Sequence, residues 1–183
     1  MKGIEKTGMK GIVRIQLLDK EGNNKPIFQG NKVWDVIQKA LKLDVRLPFI
    51  TGRYTLEGVM YNTITTAGIS ETAKLLGGVA ADAISYMAIG IGTGGTTTLN
   101  SEITTGGGAR SAVTPTSETT DSSGDTARSV ETFNFTDTFA VTEEGLLNAD
   151  SSGDLIAYKT FSAVNVADGD SLQITHDIVV STT

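Results

Sequence analysis

The stretch Ile84 to Glu102, ISYMAIGIGTGGTTTLNSE, constrains the fold more than any other part of the chain. Its first half, Ile84 to Ile91, is a short apolar run of the kind that forms a strand buried on both faces. Its second half, Gly92 to Thr98, is a glycine and threonine turn. Gly90, Gly92, Gly94 and Gly95 invite comparison with a phosphate-binding loop, where glycines after a strand bring backbone N–H groups to an anion at a helix start. The continuation TTTLNSEITTGGG argues otherwise. It puts β-branched residues and glycines where that helix belongs, supplies no Lys after the last glycine and leads into no βαβ repeat. The turn therefore reads as a strand end that needs positive φ or close backbone approach.

Downstream of that turn the chain is polar and strand-like, which suits antiparallel strands packed beside Ile84 to Ile91. The whole chain has 183 residues, enough for one domain with a substantial core or one domain with an extension. Its formal charge is −6, and its 15 Lys and Arg residues crowd toward the N-terminus, so the C-terminal half offers no basic footprint for nucleic acid. Cysteine is absent, which excludes a disulfide framework, a thiolate zinc site and a cysteine nucleophile. No apolar run reaches the roughly 18 residues of a membrane span, and MKGIEKTGMKG lacks the apolar centre of a signal peptide. The expectation is a soluble protein with no membrane partner.

In chain order, residues 1–10 read as a basic N-terminal arm, followed by a segment 11–66 that holds a hairpin, a helix and an assembly surface. GIVRIQLLD alternates, KEGNNK turns and PIFQG returns. From Asn31 the period becomes helical, with Val33, Trp34, Ile37, Ala40 and Leu41 on one stripe. LPFITGRYTLEGVMYNTITT is apolar but broken by glycines, as expected of a piece that packs against a neighbouring subunit. Residues 67–183 read as a β-sandwich core. A short helix at Ser70 to Leu76, capped by Ser70 and stopped by Gly77 and Gly78, precedes the organising strand. An exposed loop, 101–127, is too polar to contribute much core. Strands are expected at Val130 to Val141, Leu155 to Val164 and Ser171 to Val180, with Leu172, Ile174, His176, Ile178 and Val180 on one face.

No constellation argues for catalysis, a metal or a cofactor. His176 is the only histidine and sits mid-strand on an apolar face with Asp177 pointing the other way, which suits a core or intersubunit histidine better than a general base. Glu143 and Glu144 are neighbours, point to opposite sides and make a poor acid–base pair; they read as a turn whose carboxylate accepts backbone N–H bonds. Glu102 and Arg110 read as an ion pair pinning the loop after the organising strand. DSSGD occurs at Asp121 to Asp125 and at Asp150 to Asp154, and both copies read as hairpin turns, since neither supplies the ligand series or distal Glu of a calcium loop.

Several segments taken in order, IVRIQLLDKEGN, NTITTAGISETAKLLGG, SYMAIGIGTGGTTTLNSE and VTEEGLLNADSSGDLIAYKTFSAVNVADGDSLQITHDIVVS, resemble a family of small virion structural proteins of tailed bacteriophages. The pattern falls on Gly77 and Gly78, Ala88 to Gly94, Leu99 and Glu102, Thr142 to Leu146 and Leu172 to Ile178. The chain departs from it in the ITTGGGA stretch before Arg110, and in His176 where a bulky aromatic is common.

That resemblance implies a mainly β protein, an antiparallel β-sandwich of jelly-roll type with one or two short helices. It implies a non-enzymatic virion protein, made in the host cytoplasm and repeated on the particle as a head decoration, head fibre or tail component. Its partners would be copies of itself, with a trimer favoured, and other capsid or tail proteins. The residues expected at the assembly interface are Trp34, Phe49, Tyr54, Leu56, Met60, Tyr61 and His176. A receptor- or glycan-binding module of a tail fibre is the alternative, although the loops from Thr96 to Asp125 contain few aromatics for stacking on sugars.

Overall fold

The computed structural model describes residues 7–30 and 52–182. Strand β1 (Thr7–Leu18) pairs antiparallel along its whole length with the last strand, β13 (Ser171–Thr182). On the far side of β13 lie β10 (Thr126–Asn134) and the short edge strand β9 (Thr116–Glu118). Beyond β1 come β2 (Asn24–Lys25) and β5 (Gly58–Tyr61). A second antiparallel sheet runs β6 (Thr63–Ile64), β12 (Leu155–Val166), β11 (Phe139–Leu147), β7 (Tyr86–Gly90) and β8 (Ser111–Ala112). The remaining strands, β3 (Ile27–Gly30) and β4 (Gly52–Thr55), pair only with each other. The fold is thus mainly β, with antiparallel sheets and, among the described residues, one short helix.

Alternation places the core. From the first sheet Val13, Ile15, Phe133, Leu172 and Ile174 join Met87, Ile89, Val141, Leu146 and Val164 of the second in one buried apolar cluster. The organising strand β7 is buried at every position from Met87 to Gly90, as its composition predicts. The two DSSGD segments are hairpin turns joining β9 to β10 and β11 to β12. In the first of them, the Thr120 and Ser122 N–H groups, with help from Asp121 and Thr126, hold the Asp125 carboxyl well below the usual carboxylate range.

Five elements differ from the sequence expectation. Residues 7–10 belong to β1 and not to an arm. The return strand PIFQG leaves the hairpin: only Asn24 and Lys25 pair with β1, and Pro26, having no N–H to continue the ladder, marks the point of departure. Helix α1 (Thr66–Leu76) starts before Ser70, because Thr65 is the cap and its side chain accepts the Gly68 N–H at 2.9 Å. Gly68 is where α1 meets β12: a Cβ there would stand 2.2 Å from the Ile156 carbonyl oxygen. The run Val130 to Val141 is two strands in different sheets, β10 and β11, separated by a corner at Phe135 to Thr138. The segment 101–127 contributes β8, β9 and the buried side chains of Ile103 and Val113, so it is part of the packed fold. The expected Trp34 helix and Phe49 lie outside the described residues.

Candidate functional site

The glycine turn that resembles a phosphate loop is already filled, by a carboxyl group of the chain itself. Glu143 is fully buried on β11, which pairs with β7 so that Glu143 stands opposite Gly90. Its Oε2 accepts the Gly94 N–H at 2.8 Å and its Oε1 accepts the Ser101 N–H at 2.9 Å. A Cβ on Gly90 or Gly92 would come within 2.5 and 2.6 Å of Glu143 Oε1, so the carboxylate fits only because both residues are glycine. Thr142 Oγ1 donates to the Gly92 carbonyl at 2.5 Å, and Asn100 Nδ2 donates to the Gly94 carbonyl. The reading of Glu143 as an acceptor of backbone N–H bonds holds. Its place in a turn does not: both glutamates are mid-strand.

Beyond the turn the chain folds back over the second sheet. Leu99 packs with Ala88, Leu147 and Leu155 in a separate small cluster. Glu102 bridges to Gly90, and its carboxylate receives Arg110 Nε at 2.9 Å and Nη2 at 2.7 Å, while Arg110 Nη1 donates to the Ala149 carbonyl. The expected ion pair is therefore present, bidentate and partly buried. The hydrogen bond from Arg110 to Glu102 raises the guanidinium pKa above its ordinary value.

Glu144 points the other way and meets His176 from the opposite sheet. His176 Nδ1 lies 2.9 Å from Glu144 Oε2, and both residues are 0% exposed. The side-chain amide of Asn62, on the link from β5 to β6, meets His176 Nε2 on the other side of the ring. Glu144 Oε1 and Asn62 Oδ1 are buried without a hydrogen-bond partner. On the outer face of the first sheet, Asp177 is covered by Arg14 (Nη1 at 2.6 Å) and by Arg128 (Nε and Nη2 at 2.7 and 2.9 Å). Burial pushes the Asp177 carboxyl up, but the hydrogen bonds and charges of the two arginines together hold it below its ordinary value.

The expected interface residues separate. Leu56 and Tyr61 are exposed, Tyr61 at 68%, whereas Met60 packs against the core. His176 is a core residue that closes the space between the sheets, so it forms no surface of this chain. Tyr54 is on β4, with its side chain outside the described residues, as are Trp34 and Phe49.

Sequence reasoning missed a groove that draws on several elements. Where the ends of β1, β10 and β13 part from β12, a groove of about 440 Å³ opens. Met9, Ile156, Ile178 and Val180 contribute to its lining, α1 to one wall and the β9–β10 hairpin to another. The legible signal was Leu75, Leu76 and Val79, apolar residues at the end of a short helix where a solvated helix would carry charge. No group of three or more His, Cys, Asp or Glu suited to a metal occurs among the described residues. The chain matches no protein-family model, no curated protein and no solved structure.

Proposed function

We propose that this protein is a non-enzymatic structural component of a tailed-bacteriophage particle, repeated on its head or tail, that acts by assembling with copies of itself and with neighbouring capsid or tail proteins. The observation that carries this reading is Glu143. The residues behind the family resemblance, Ala88 to Gly94 and Thr142 to Leu146, meet in space, and their only carboxylate–N–H constellation is turned inward to hold a strand end. Glu102 and His176 are likewise engaged inside the fold, by Arg110 and Glu144. A motif whose polar groups bind one another serves architecture, and the exposed Leu56 and Tyr61 supply apolar surface for contacts between subunits.

A jelly-roll sandwich is the architecture we propose for it. Support comes from one long ribbon: β10 continues into β11 and β12 into β13, with β11 paired to β12 in one sheet and β10 paired to β13 in the other. Folding a two-stranded ribbon over itself in this way is how such a sandwich is wound. Among the described residues no helix is long and apolar enough to cross a membrane. The test is mass spectrometry of purified particles from the phage that encodes the chain. Recovery in many copies per particle is the expected result, and particles that lack the chain would refute the reading.

A further inference from the structure

The groove beside α1 is apolar at its floor and negative at its rim. Met9, Leu75, Ile84, Ile156, Ile178 and Val180 face it, and the charged residues that line it, Glu71, Asp82 and Asp125, are all carboxylates. Lys74 stands beside the groove and is bound to Glu71 at 2.5 Å; that hydrogen bond, with Asp154 and Asp82 nearby, raises its pKa. Lys10, paired with Asp121, stands near Asp125 on the hairpin side, so two cations stand among five carboxylates, Glu71, Asp82, Asp121, Asp125 and Asp154, and the neighbourhood keeps a net negative charge. The apolar surface also continues past the groove, since Leu75 and Val180 are about half exposed, Val79 is exposed and Leu76 is exposed at 86%.

We propose that this groove is the docking site for a peptide segment of another protein that carries aliphatic side chains flanked by lysine or arginine. The aliphatic side chains enter the floor between Ile156 and Ile178, and the cations face Asp82, while Glu71, bound by Lys74, and Asp125, bound by N–H groups of its own hairpin, add only to the net field. A small amphiphilic cation would fill the groove yet leave Leu76 and Val79 uncovered. A segment several residues long covers both, which is why the partner is a peptide. This site does not depend on the virion reading, and a protein found on particles but unable to bind such a peptide would lose only the present proposal.

The experiment is fluorescence anisotropy with the full chain and a labelled synthetic peptide of alternating leucine and lysine. Leu75→Glu should weaken binding about tenfold or more and Asp82→Lys several-fold, with binding falling as salt rises. Val130→Glu, on the outer face of the first sheet, should leave binding unchanged, and circular dichroism confirms that each variant is folded. Several results would each overturn the proposal. These are no binding up to about millimolar peptide, equal binding of a leucine–glutamate peptide, and unchanged binding by folded Leu75→Glu. Equal competition by hexylammonium would assign the groove to a small amphiphile. A fall in oligomer mass on Leu75→Glu would place a second copy of this chain there.

Discussion

Replacing Gly92 by alanine puts a methyl group 2.6 Å from Glu143 Oε1, 3.0 Å from its Cδ and 2.8 Å from Asn100 Cβ. The carboxylate has little room to retreat, because its two oxygens are held by the Gly94 and Ser101 N–H groups. Overpacking of this kind costs about 2 kcal/mol. Glu143→Ala removes the clash partner instead and strips both N–H groups of their acceptor, at about 1.5 kcal/mol for each charge-assisted bond, so about 3 kcal/mol in all. If the glycine exists to make room for the carboxylate, the two losses do not add. The double variant relieves most of the methyl contact, leaving only Asn100, and should be at least about 1 kcal/mol more stable than additivity predicts. Urea denaturation of the four proteins of this cycle measures the coupling. Additivity to within about 0.5 kcal/mol, or a Gly92→Ala cost below that value, would refute the carboxylate-in-turn explanation of the glycine motif.

Other perturbations probe the remaining polar contacts. Asp177→Asn removes the acceptor charge beneath Arg14 and Arg128 and should cost about 2 kcal/mol at neutral pH. Because the Asp177 carboxyl titrates below its unfolded value, its stabilisation is present above about pH 4 and fades as the pH falls through the folded-state value. The stability gap between wild type and Asp177→Asn should therefore close below about pH 4, as acid-dependent urea titration would show; a gap that persists there would contradict the linkage. His176→Ala leaves Glu144 buried without its partner and opens a cavity, an expected loss of about 3–5 kcal/mol by thermal or urea unfolding, while His176→Leu with Glu144→Leu should recover most of it. Arg110→Lys keeps the charge but loses the fork onto Glu102, and should cost about 1 kcal/mol by the same measurement.

Strand content, the buried β7, both acidic turns and the core face of β13 from Leu172 to Ile178 were legible because alternation and turn chemistry are local properties, whereas Val180, expected on that face, is half exposed and Val179 is buried instead. The corner between β10 and β11 was not. Phe133, Phe135, Phe139 and Val141 keep the same phase across it, so the pattern of one continuous strand is identical to that of two strands in different sheets. Glu143 and Glu144 were misplaced for a related reason: paired carboxylates signal solvent, and only the fold shows that one faces the glycine turn and the other His176. The apolar neighbours Val141, Leu146 and Leu147 were the available clue that the pair lies within a buried strand. Gly68 concealed the start of α1, since it looks like a helix breaker until the close approach of Ile156 is known. Of the groove only the apolar end of α1 was legible, as the rest of its lining comes from β1, β9, β10, β12 and β13, elements far apart in the chain.

The central claim, that this protein works by assembly, is tested most directly by its mass in solution. Multi-angle light scattering of the full chain over a range of concentrations should give three times the chain mass of 19.2 kDa, with Tyr61→Glu or Leu56→Glu shifting the population toward the single chain. A folded particle of 19.2 kDa at every concentration, unaffected by either substitution, would contradict the account.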